Sequence, residues 1–209
     1  PLPILVQIIQ QLLEAMSAIH AAGLIHRDIK PENILVRHIG SSFEVFLADL
    51  GIVKSIQPLG ELIQTLTQEG ALVGTPSYMA PEQIIPMRAK GKTLKDDHVW
   101  QLTPALDFWA FGVMLYELIT GILPFYMSRQ VHDSASGQVR TLPDINGILA
   151  LISDATHRPV SLRKLVLHLP RPLVEFVVMC LIRAPWLRPC DGLKLAACID
   201  RLVREMKAN

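Results

Sequence analysis

The sequence predicts an α+β fold that is mostly helical and carries one small β-hairpin. Three observations point there. Leu5, Ile8, Ile9, Leu12, Met16 and Ile19 recur at helical spacing, with Gln7, Gln10, Gln11, Glu14 and Ser17 off that stripe. The runs Ile34-Leu35-Val36 and Val45-Phe46-Leu47 flank Gly40-Ser41-Ser42, the pattern of two short strands and a turn. Residues 105–125 form the most apolar stretch, long enough for a central helix.

In chain order, Gly23 is placed to end the first helix in a left-handed C′ position. Leu24-Ile25 then reads as a short strand, followed by the hairpin. Residues 52–73 hold Gly60, Gly70 and several Thr and Gln without periodicity, and read as a mobile loop. Residues 84–104 read as a solvated insertion loop, with Arg88, Lys90, Lys92 and Lys95 ahead of Asp96 and Asp97. Residues 105–125 could by length span a bilayer, but Asp107 and Glu117 lie inside the stretch, Gly112 and Gly121 interrupt it and Pro124 ends it. A helix buried in protein is the better reading. Asp144 to Leu151 reads as a short helix. Leu173, Val177 and Leu181 mark another, ending near Arg183-Ala184-Pro185, and Leu195, Ile199, Leu202 and Met206 mark a last amphipathic helix.

The 209 residues suit one domain of ordinary size, and half of them are hydrophobic. A formal net charge of +1 gives no case for nucleic acid or an anionic membrane surface. Cys180, Cys190 and Cys198 are an odd set without C-x-x-C spacing, which fits a reducing, cytoplasmic setting or the cytoplasmic domain of a larger protein. The other histidines show no metal-ligand spacing and read as exposed or core residues. The chain opens on Pro1 directly into a helical pattern, with neither a charged n-region nor a cleavage site. The expectation is a fragment whose upstream part is missing.

The chemistry concentrates in His26-Arg27-Asp28-Ile29-Lys30-Pro31-Glu32-Asn33. Asp28 can accept a proton from a hydroxyl, Lys30 can hold a phosphate and Asn33 offers an amide oxygen to a divalent cation. Phosphoryl transfer needs these parts, because its catalysis is mostly positioning and charge neutralisation. The alternative is a polar turn between a helix and a strand.

This stretch resembles the H-R-D-x-K-x-x-N catalytic loop of protein kinases, and further landmarks follow in that family's order. Asp49-Leu50-Gly51, sixteen residues after Asn33, resembles D-F-G, with Leu50 in place of the usual Phe. Gly74-Thr75-Pro76-Ser77-Tyr78-Met79-Ala80-Pro81-Glu82 resembles the end of an activation segment, and Asp107-Phe108-Trp109-Ala110-Phe111-Gly112 resembles D-x-W-x-x-G. Arg188-Pro189 resembles a late R-P element. Lys30 and Gly74-Thr75-Pro76 are similar to the serine/threonine type, and Met79 to Gln83 is similar to bacterial-type kinases.

The resemblance implies a kinase C-terminal lobe over residues 1–209, with the N-terminal lobe absent, a catalytic loop at 26–33 and an activation segment at 49–82. It implies a serine/threonine protein kinase using ATP and Mg²⁺ on a protein substrate. Asp28 is then the base and Lys30 the phosphate ligand, with Thr75 hydrogen-bonded near both. Asn33 and Asp49 hold the metal, and Leu35 lies under the adenine, where the plain alternative is strand core. His26 is structural, Asp107 ties the helix start to the catalytic-loop backbone, and Arg188 pairs with Glu82. Arg27 awaits a phosphate on the activation segment, for which Thr67, or failing that Thr65, is the expected site. The sequence contains neither G-x-G-x-x-G nor V-A-I-K, so the upstream lobe is an expected partner and the isolated chain is expected to be inactive. The rival readings are a kinase-like scaffold without chemistry and a membrane-anchored protein using residues 105–125.

Overall fold

The computed structural model describes residues 2–40, 42–49, 75–88, 103–132, 138–192, 195 and 199. The expected loop at 52–73, Thr65 and Thr67, the insertion from residue 89 to 102 and the end of the last helix lie outside them.

Helix α1 (Leu2–Ala21) buries Val6, Ile9, Leu12, Leu13 and Met16. Gly23 ends it at φ +73°, a left-handed conformation that glycine adopts without the Cβ clash. Its amide donates to the His20 carbonyl at 2.9 Å. Strands β1 (Ile34–Ile39) and β2 (Ser42–Leu47) pair antiparallel, Ile34 opposite Leu47 and Ile39 opposite Ser42. The hairpin is longer than its apolar runs, and Ser42 belongs to the strand. Gln11 of α1 fixes β2 by accepting from the Val45 amide at 2.8 Å. Val45 is buried, while Leu35 and Phe46, opposite each other on the other face, are 55% and 43% exposed. Leu35 is therefore not strand core.

Leu24-Ile25 is not a strand. The amides just after it, those of His26 and Arg27, are taken by a side-chain carboxylate rather than a ladder. Helix α2 (Pro81–Arg88) follows a 3₁₀ turn at Thr75–Tyr78, so residues 84–88, expected in the insertion loop, are helical. Helix α3 (Ala105–Thr120) buries every residue from Ala105 to Tyr116 and stops at Gly121, φ +75°. It is sixteen residues long and apolar all round because the domain packs about it, which is the buried and not the membrane arrangement. Among the described residues only α1 is long and apolar enough to cross a membrane by length and composition, and its apolar stripe lies in the core.

A second hairpin, β3 (Ser128–His132) with β4 (Val139–Pro143), follows α3, where one hairpin in all was expected. Helix α4 (Ile145–Ser153) starts at Asp144, whose carboxylate accepts from the Gly147 amide at 3.1 Å. A short turn, α5 (Leu162–Leu165), precedes α6 (Arg171–Cys180), which ends before the expected Arg183-Ala184-Pro185; Pro185–Leu187 is a separate 3₁₀ turn.

The core joins α3 to α6. Phe111 meets Phe176 edge to face at 6.1 Å, and Trp109 stacks on Phe125 at 5.4 Å. Gly112 lets the helices approach, since a Cβ there would lie 2.6 Å from Cys180 Cβ. The D-x-W-x-x-G glycine thus has a packing reason in this chain. Gly112→Ala is expected to lower unfolding free energy by about 1–3 kcal/mol through overpacking, despite alanine's better helix propensity. Urea denaturation checks this; an unchanged midpoint would show that α3 and α6 do not pack this closely.

Candidate active site

The segment from His26 to Asn33 is irregular until its last three residues, which form a 3₁₀ turn, and tertiary contacts set its shape. Asp107, in the first turn of α3, is fully buried. Its Oδ2 accepts from the His26 amide and its Oδ1 from the Arg27 amide, both at 2.8 Å. The Oδ2 also takes His20 Nε2 at 2.8 Å. Three donors thus converge on one carboxylate. The chain can then hold Arg27 at φ +68°, a left-handed conformation costly for a residue with a Cβ.

His26 braces the loop from the other side. Its Nδ1 accepts from the Asp28 amide at 3.3 Å, and its Nε2 lies 2.9 Å from the Ala48 carbonyl. Because Nδ1 accepts, Nε2 carries the proton and donates. Ala48 in turn donates its amide to the Asn33 carbonyl at 2.8 Å. Both peptide groups of Ala48, the residue before Asp49, are thus tied to the loop. Asp49 is exposed and has φ +55°.

Asp28, Lys30 and Asn33 come together. Lys30 Nζ is 3.0 Å from Asp28 Oδ2 and 3.2 Å from Oδ1. Asn33 Nδ2 donates to Asp28 Oδ2 at 2.9 Å and to the Asp28 carbonyl at 2.7 Å. This commits the amide nitrogen and leaves Oδ1 without a protein donor among the described residues. Such an amide oxygen is a hard donor of the kind a divalent cation takes, so Asn33 suits that role, and the exposed Asp49 carboxylate supplies the same class of oxygen donor. The cleft at Asp28, bordered by Tyr78, Met79 and Ala110, holds about 30 Å³. No hydrogen bond or ion pair reaches the Arg27 guanidinium among the described residues.

The Arg188–Glu82 pair forms as expected and is fully buried. Nη1 and Nη2 donate to the two carboxylate oxygens at 2.7 and 3.1 Å. The remaining donors reach the carbonyls of Ala105, Ile182 and Arg183, so all five N–H groups are used. The guanidinium also lies 5.1 Å from the Trp109 ring centroid. Tyr78 donates its hydroxyl to Glu117 Oε2, and burial, reinforced by that carboxylate, pushes the phenol well above its usual pKa. The Thr75 side chain lies outside the described residues.

The protein kinase domain family matches residues 3–196. The chain belongs to the protein kinase family. Relatives are of the serine/threonine type. The chain is 30% identical to serine/threonine-protein kinase pkn2 of Myxococcus xanthus over 173 residues, 76% of this chain and 19% of that protein. It is 44% identical to pkn3 of the same organism over 122 residues, 57% of this chain and 20% of that protein. With PknL of Mycobacterium tuberculosis it shares 36% over 120 residues, 57% of this chain and 25% of that protein. The matches thus span about a fifth to a quarter of these relatives. Membership makes the α+β architecture that of a kinase domain, and implies ATP and, typically, a divalent metal.

Sequence reading missed His20 in this kinase domain, although a signal existed. His20 follows Met16 and Leu12 at intervals of four, on the buried face of α1, where a histidine needs a polar partner.

Proposed function

We propose that this chain is the C-terminal catalytic lobe of a serine/threonine protein kinase that transfers the γ-phosphoryl group of ATP to a Ser or Thr hydroxyl of a protein. One observation carries the reading: a single buried loop gathers the Asp28 carboxylate, the Lys30 ammonium and the Asn33 amide within hydrogen-bond distance. Asp28 accepts the proton as the hydroxyl oxygen bonds to the γ-phosphorus and the bond to the departing ADP oxygen breaks. Lys30, already against Asp28, neutralises charge on the moving phosphoryl group. Asn33 Oδ1 and the Asp49 carboxylate would hold a divalent ion, Mg²⁺ by their hard oxygen donors, which would supply charge neutralisation to the phosphates. In the same reading Thr75, as the family resemblance implies, serves the loop that carries Asp28 and Lys30.

The exposed apolar side chains Leu35, Val36, Ile39 and Phe46 of the hairpin support a covering lobe that carries the glycine-rich loop and strand lysine. Leu35 would then meet the adenine, and these 209 residues alone would transfer little phosphate. A cytoplasmic setting belongs to the same proposal, since ATP is there.

In the full-length protein, Asp28→Asn is expected to lower kcat by two to four orders of magnitude, the usual worth of a general base, with ATP affinity nearly unchanged. Asp49→Ala is expected instead to weaken Mg²⁺-dependent ATP binding. Steady-state kinetics with nucleotide titration separate the two; normal turnover in Asp28→Asn would refute the base assignment. The Arg27 guanidinium, without a partner among the described residues, supports phosphorylation of Thr67, or Thr65, as the activating event. Replacing both by Ala is expected to remove the phosphate seen by mass spectrometry and lower activity. Full activity without phosphate on either would reject this regulation.

A further inference from the structure

A half-enclosed cavity of about 570 Å³ lies away from the catalytic loop, between the last turn of α3, residues 155–162 and α6. Its size falls within the roughly 300–1,000 Å³ usual for small-molecule sites. The wall is aliphatic, built from Val160, Leu162, Val174, Val177, Val178 and Leu181. Tyr116 is its one aromatic residue, and its hydroxyl is committed to the Val160 carbonyl at 2.8 Å.

Two cations line this apolar space. Arg183 gives Nε to the Ile152 carbonyl and Nη2 to that of Leu151, at 3.0 and 3.2 Å, with its guanidinium 5.2 Å from the Phe125 ring centroid. Arg158 gives Nη1 to the carbonyls of Ala155 and His157. Arg183 Nη1 and Arg158 Nε and Nη2 have no protein acceptor among the described residues. Burial, and next the nearby Arg158 charge, hold Arg183 below its usual pKa; Asp154 opposes this in part. The cavity therefore combines an aliphatic body with a positive edge that still has donors to offer.

We propose that this cavity binds an aliphatic carboxylate, its chain along α6 and its headgroup on Arg158 and Arg183. Guanidinium groups pair with carboxylates through charge-assisted hydrogen bonds, and here a bound anion also relieves their mutual repulsion. An aliphatic wall favours a flexible alkyl chain over a stacked ring. The bland alternative is a shallow apolar groove that takes up any hydrophobe, and the test separates the two.

Dodecanoate, kept below its aggregation concentration, is titrated calorimetrically into the full-length protein, with dodecanol and dodecyltrimethylammonium as comparators of equal chain length. The carboxylate is expected to bind at least about tenfold tighter than either, equivalent to about 1.4 kcal/mol. Arg158→Glu, an exposed change outside the catalytic machinery, is expected to lower dodecanoate affinity at least tenfold and leave dodecanol unaffected. Val178→Glu, at a position 58% exposed, is expected to abolish binding of both, with folding checked by thermal unfolding. Absence of binding, equal affinity for the three probes, or full dodecanoate affinity in either variant would overturn the proposal.

Discussion

One carboxylate, that of Asp107, decides whether the candidate active site has a shape. It lies at the start of the central helix and takes hydrogen bonds from two consecutive loop amides and from a histidine on α1. Buried hydrogen bonds to a charged group contribute about 1.5–3 kcal/mol each, enough to offset a positive-φ arginine at about 1–3 kcal/mol. That backbone turn presents Asp28 to Lys30 and Asn33. Remove the carboxylate, and two amides and a histidine lose their acceptor inside protein, where unmade hydrogen bonds cost most.

The second buried charge uses the same helix. Arg188 spans Glu82 at the start of α2, the Ala105 carbonyl at the start of α3 and the two carbonyls Ile182 and Arg183 after α6. An ion pair so enclosed is poor value as a stability device, but leaving either partner alone is severely destabilising, by about 3–5 kcal/mol. Its effect is to fix one arrangement: the start of α2 must sit against the start of α3, on which the loop from His26 to Asn33 also hangs. Both ends of the site therefore share one reference, a helix buried from Ala105 to Tyr116.

The chemical parts were legible because they are local. His26 to Asn33 show a carboxylate, an ammonium and an amide in residue type and spacing, and Gly23 marks a helix end through a backbone rule that acts within a few residues, while Gly121, read as an interruption of a stretch ended by Pro124, is where α3 stops. What was hidden depends on distant partners. Leu24-Ile25 looked like a strand until the amides that follow proved to be claimed by Asp107, some eighty residues on. His20 looked ordinary until the same carboxylate appeared beside it. The second hairpin escaped notice because β3, Ser-Arg-Gln-Val-His, has only one apolar residue and β4 is largely exposed, so neither shows a clear apolar alternation. Residues 84–88 were assigned to a loop by the charges that follow them, not by their own helical continuation from Pro81.

The Asp107 carboxylate, rather than local propensity, holds the loop from His26 to Asn33. Amide hydrogen exchange at His26 and Arg27 in an Asp107→Asn variant measures this directly. Asparagine keeps the volume but offers one acceptor where two are needed. Protection of these two amides should fall at least about tenfold, roughly 1.4 kcal/mol of local stability, while amides in the middle of α1 keep theirs. Unchanged protection at both amides would contradict the account.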